Sequence, residues 1–178
     1  MNKLKSPLSH LMLGYWTGLM SPGPGTLLEN DILEKAAPYL FVSCLDARNR
    51  LRLVAGGTRI RELTTETLSG FDYASFWHRD DQILVEKLAK KFCDEGQPIC
   101  FAATGRHNSH QPIRVDCMLF PSERRADQPA GLLGAFFFRE EETISPDILP
   151  LRLERSDDVL SAITSGATDN VFALRQRA

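Results

Sequence analysis

The sequence predicts an α+β domain, and three observations carry that reading. Two apolar runs, Tyr39–Leu45 and Arg50–Ala55, flank a polar turn, and a glycine pair then opens a short helical pattern. A longer helical stretch, about Asp81–Asp94, follows in mid-chain. Three more strand-like runs come after it, at Ile99–Thr104, Ile113–Phe120 and Leu132–Phe138. A chain of 178 residues is one ordinary domain plus extensions, and with 43% apolar and 25% charged residues it can bury a core without disulfides or metal.

Each element has a local cause. Ser6 and Pro7 suit a helix start, and Leu8, Leu11, Met12, Tyr15, Trp16 and Leu19 recur at helical spacing. The breaker Ser21-Pro22-Gly23-Pro24-Gly25 ends that helix. Its apolar stripe must pack on the outer face of a sheet or on a second copy of the chain. Asn30 and Asp31 cap a short helix that Pro38 closes. Asp46–Asn49 makes the turn between the first two strands, and Leu51, Leu53 and Ala55 alternate with Arg50 and Arg52 as in a half-buried strand. Gly56, Gly57 and Thr58 lead into a short helix around Arg59–Leu63, and the aromatic-rich stretch Tyr73–Trp77 forms another.

Asp80 and Asp81 open the long helix, where acidic residues suit the positive end of its dipole, and Glu95-Gly96 closes it. Leu84, Leu88 and Phe92 are expected as its buried row, with Ile83 and Val85 beside it. In the strand at 113–120, Ile113, Val115, Cys117 and Leu119 share one face. The run at 132–138 is apolar on both faces, as in a strand covered on both sides. Residues 1–29 thus form a helix and linker, 30–139 the core, and 140–178 a tail of uncertain order, in which Glu140–Glu142, Pro146 and Pro150 mark a linker and Ser156–Ala178 has a weak helical pattern at best.

The bulk chemistry narrows function by exclusion. A net charge of −2 exerts no global pull toward nucleic acid or anionic lipid. No apolar run approaches the roughly 20 residues of a membrane helix, and the first residues lack a signal-peptide pattern. The expected compartment is the cytoplasm, without membrane insertion. Cys44, Cys93, Cys100 and Cys117 form no C-x-x-C pair and read as reduced, buried thiols. The glycine pair matches neither the Walker nor the dinucleotide-binding pattern. Arg48, Arg50 and Arg52 lack accompanying aromatics and read as a solvated strand edge, not a nucleic-acid surface.

The order strand, strand, short helices, long helix, three strands is the plan of a PAS domain. The helix with Tyr15-Trp16, the Pro-Gly break, Leu53-Val54-Ala55-Gly56-Gly57-Thr58, and then Leu68-Ser69-Gly70 resemble the single-domain bacterial PAS_5 family, mostly alphaproteobacterial, over about residues 6–138. The second glycine at the Gly-Thr turn departs from the family's pattern, with little consequence expected. The resemblance implies a five-stranded antiparallel sheet in order 2-1-5-4-3, with helices over one face and the N-terminal helix over the other. It implies sensing or protein contact and not catalysis, and it fixes no ligand or cofactor. With no kinase, cyclase or DNA-binding module recognisable in the chain, output is expected through contact, as a homodimer and with a regulatory partner such as a sensor kinase. Leu8, Leu11, Met12, Tyr15, Trp16 and Leu19 are the expected interface.

The cavity of such a fold lies between the long helix and the sheet. Ile60, Phe71, Trp77, Leu88, Phe92, Phe101 and Phe136 could line it, or could simply fill the core. Arg59 could grip an anionic ligand near the Gly-Thr turn, or pair with Glu62 three residues on. His78 precedes the long helix instead of lying within it, which argues against a haem ligand. No cysteine lies between Cys44 and Cys93 for the flavin chemistry of light-sensing relatives. His107 and His110 share a polar loop with no acidic or cysteine partner, which reads as a turn and not a zinc site. An α+β enzyme would have to draw on Asp72, His78, Asp80 and Asp116. A structural dimerisation module with a filled core is the third reading.

Overall fold

The computed structural model describes residues 6–20, 30–64, 67–96, 98–106, 112–121, 131–138 and 148–153, with the side chains of residues 16–20, 30–31, 92–93 and 106 outside that description. The helices are α1 Pro7–Met20, α2 Asn30–Ala36, α3 Thr58–Glu62 and α4 Arg79–Glu95, with 3-10 turns at Ala37–Tyr39 and Tyr73–Phe76. The strands are β1 Leu40–Leu45, β2 Leu51–Gly56, β3 Ile99–Arg106, β4 Pro112–Pro121, β5 Gly131–Phe137 and β6 Arg152–Leu153. They form one antiparallel sheet in the order β2-β1-β5-β4-β3-β6. The first five stand in the expected order, and β1 lies beside β5 with Leu40 opposite Ala135 and Cys44 opposite Gly131.

The β1–β2 hairpin is built by one carboxylate. Asp46 accepts from the backbone N–H groups of Arg48 at 2.8 Å and Arg50 at 2.9 Å, and from Arg52 Nε at 3.1 Å. Asn49 takes a positive φ of 58°, which its short polar side chain tolerates. The arginines do not form a merely solvated edge: Arg52 Nη1 also lies 3.1 Å, and Arg50 Nη1 3.7 Å, from Asp72 Oδ2. Asp72 in turn caps the next 3-10 turn by accepting from the Ala74 N–H. The second glycine at the Gly-Thr turn is not inconsequential. A Cβ on Gly57 would sit 2.0 Å from the Ala37 carbonyl oxygen, so only glycine lets these backbones meet there.

Alternation along the strands divides the apolar side chains between two faces. On the inner face Phe41, Leu53, Phe101, Val115, Cys117, Leu119 and Phe136 pack with Ile60 of α3, Tyr73, Phe76 and Trp77, and with Val85 and Leu88 of α4. On the outer face Cys100, Met118, Phe120, Ala135 and Phe137 pack against Leu8 and Met12 of α1 and Ala36 of α2. The double covering explains why β5 is apolar on both sides.

Two elements depart from the sequence reading. In α4 the buried row is Asp81, Val85, Leu88 and Ala89; Leu84 is half-buried and Ile83 is 68% exposed. The helix is rotated from its expected face because Asp81, a residue assigned only to the helix start, is itself buried. Its Oδ2 accepts from the Leu153 N–H at 3.2 Å. The second departure is β6, which arises within the stretch read as tail. It pairs with Ala103 and Thr104 at the edge of β3. Ile148, Leu151 and Leu153 enter the inner core with it, and backbone bonds join Leu151 to Phe76 and His78. Two strand residues are too few to register as a period-two pattern.

Candidate functional site

The inner face concentrates aromatic rings around β5. Phe136 stands with its ring centroid 5.0 Å from Phe41, 5.3 Å from Phe76, 6.2 Å from Trp77 and 6.3 Å from Tyr73. Trp77 continues the cluster to Phe101 at 5.7 Å. Gly134 makes room for this arrangement, because a Cβ there would lie 2.1 Å from the Phe41 ring. The cluster also contains polar atoms. Tyr73 Oη and Trp77 Nε1 are buried, and neither closes a hydrogen bond among the described residues. Burial, with the Cys117 thiol near by, pushes the Tyr73 phenol well above its usual pKa, so it stays a neutral O–H donor. A buried donor without an acceptor costs about 1–3 kcal/mol, so these groups form a polar spot that an acceptor would relieve.

Of the residues proposed for the cavity, Ile60, Trp77, Leu88, Phe101 and Phe136 are brought together in this inner cluster. Phe71 is half-buried at its margin, 4.9 Å from Phe76. The Phe92 side chain lies outside the described residues. Arg59 does not join them: it is at the surface, and its Nη1 donates to Glu62 Oε2 at 2.9 Å. Sequence reasoning missed Phe41, Tyr73 and Phe76, which form much of the centre. The aromatic density of 73–77 was the available signal, but nothing in it said which rings turn inward.

On the outer face Leu8 and Met12 are buried against the sheet, and Tyr15 packs beside them half-buried. Leu11 is 44% exposed, and the side chains of Trp16 and Leu19 lie outside the described residues. The start of α1 is tied down by a carboxylate from the sheet. Asp116 Oδ2 of β4 accepts from the Ser6 N–H at 2.8 Å and from Ser9 Oγ at 3.0 Å, in a buried setting. Burial, with Asp116 near by, pushes the Cys100 thiol up to about 12.

The acid–base candidates do not form one site. Asp116 serves α1 on the outer face, Asp72 sits in the arginine network of β2, and only His78 and Asp80 meet, with Nδ1 and Oδ2 3.4 Å apart. There Arg152 Nη1 donates to His78 Nδ1 and to Asp80 Oδ2, so the histidine helps to hold β6 in place. His107 and His110 lie outside the described residues. Among the described residues no helix is long and apolar enough to cross a membrane.

The profile of the family described as PAS_5, PAS domain, matches residues 7–137. The chain belongs to the PAS_5 family. As a PAS domain it is a sensory and signalling module, of a kind that is generally not enzymatic. The crystal structure of the Rhodobacter sphaeroides LOV protein is similar to it at 15% identity, over 60% of this chain and 62% of that one, with a TM-score of 0.45. Comparison with curated proteins gives no match.

Proposed function

We propose that this PAS domain is a cytoplasmic signalling protein that acts by protein contact, as a homodimer and on a regulatory partner such as a sensor kinase. The observation that carries the reading is on the outer face. There α1 commits Leu8 and Met12 to the sheet yet leaves Leu11 44% exposed, and Val42 of β1, which points away from the inner cluster, is also 44% exposed. Apolar side chains left uncovered on one face favour contact with another protein surface. A shift in the inner cluster would reach this face through the shared strands β4 and β5. A ligand or partner moves that equilibrium only by binding the two arrangements with different affinity. Light scattering after size exclusion tests the contact: the wild-type chain is expected as a dimer, and Leu11→Glu as a monomer. A strictly monomeric wild type, with no regulatory partner recovered by crosslinking, overturns it.

A second reading adds a small molecule in the inner core, favoured by the unpartnered Tyr73 Oη and Trp77 Nε1. The tight ring packing around Phe136 favours the alternative of a filled core in a structural dimerisation module. Thermal stabilisation across a metabolite panel separates the two, because a ligand bound to the folded state raises its apparent stability.

A further inference from the structure

A groove of about 430 Å³ opens at the rim of the sheet, between β2, the end of α3 and the turn at 67–69. None of the aromatic rings of the core lines it, and it falls within the size range of small-molecule sites. Its apolar side is formed by Val54, which is half exposed, and Leu68, which is buried. Its polar side is lined by Arg61, Thr64, Thr67 and Ser69.

Arg61 is the group that gives the groove a chemistry. Its Nε donates to the Gly56 carbonyl at 3.0 Å, which fixes the plane of the guanidinium, and among the described residues neither terminal nitrogen has a partner. Among the described residues no carboxylate lines the groove or pairs with Arg61. Its neighbours differ: Arg59 is neutralised by Glu62, and Arg50 and Arg52 by Asp46 and Asp72. The Thr64 hydroxyl donates to the Arg61 carbonyl at 3.1 Å, so it can only accept within the groove. The Thr67 and Ser69 hydroxyls make no hydrogen bond among the described residues and remain free to donate.

We propose that this groove binds a small amphiphilic carboxylate. The anchored guanidinium presents two parallel N–H groups, the geometry that a carboxylate accepts as a bidentate pair. One cation balances one negative charge. The carbon chain of the ligand would lie on Val54 and Leu68, and the hydroxyls of Thr67 and Ser69 would supply further hydrogen bonds to its oxygens. The sequence reading looked for an anion at Arg59; the fold gives that role to Arg61, two residues on, because Glu62 has already taken Arg59.

The test is a titration of the full chain, labelled with ¹⁵N, with hexanoate and with its neutral isostere hexanamide. Hexanoate is expected to shift the amides of Val54, Leu68 and Ser69 saturably, with a Kd on the order of 1 mM. Hexanamide and the Arg61→Gln variant are expected to weaken binding about tenfold or more, and Arg61→Lys less, because lysine keeps the charge and loses the fork. Arg59→Gln should bind like the wild type. Arg61 and Arg59 are surface residues, and the unchanged remainder of each spectrum verifies folding. Equal binding of hexanoate and hexanamide, unchanged affinity in Arg61→Gln, or no saturable shift at the groove overturns the proposal. Each of these results leaves the contact through α1 and the outer face untouched.

Discussion

Asp46 shows how much one side chain can specify. It takes up two backbone N–H groups and an arginine in a single turn, and the backbone bond from Arg50 is the main reason its pKa falls to about 2. The sign of the consequence follows from linkage. The folded value lies below the unfolded one of about 3.9, so the hairpin's gain is complete above pH of about 4 and is lost as pH falls toward 2. A titration of the Asp46 carboxyl by NMR should return the lowered value, with faster exchange of the Arg48 and Arg50 amides as it protonates. An ordinary carboxyl pKa would refute the assignment. The turn was legible in the sequence because Asp and Asn act through bonds to their own backbone neighbours. Gly57 was not, since its constraint comes from Ala37, which only the folded chain brings near.

At the scale of the element, helix boundaries were readable and helix faces were not. Proline, capping residues and glycine act within a few positions of themselves, so α1, α2 and α4 begin and end close to where those residues stand. Which face turns inward depends on partners far along the chain. Asp81 is drawn inside by Leu153, and this leaves Ile83 outside although its hydropathy suits the core. In the same way α1 is held by Asp116, more than a hundred residues away in sequence. Asp116→Ala should leave the Ser6 N–H and the Ser9 hydroxyl unpaired at a buried site, at a cost of about 1–3 kcal/mol. Hydrogen exchange should then rise in residues 7–20 ahead of the sheet. A uniform rise across the whole chain would mean that Asp116 supports the fold in general and not α1 in particular.

For the whole molecule, the strand order was legible only through the resemblance to the PAS plan, which the order of elements and the short Gly-Thr and Leu-Ser-Gly stretches carried. The centre of the inner core was read only in part: Trp77, Phe101 and Phe136 were picked out, while Phe41 stands in a strand run apolar on both faces and Phe76 in a short 3-10 turn whose aromatic density does not say which rings turn inward. The C-terminal addition was invisible, yet it completes the core. Leu151→Ala is expected to cost about 2–5 kcal/mol, as for a large buried side chain in a packed interior, measured by denaturant unfolding. A loss below 1 kcal/mol would show that the segment is merely laid against the domain. Leu151 is bonded through its N–H to Phe76 and through its carbonyl to the His78 N–H, while Leu153 rests on Asp81. The β6 segment is therefore fastened to the same joint at which α4 begins. Helix and strand thus share one hinge point, and a tilt of α4 would have to stretch the bonds that hold β6 or draw that strand with it.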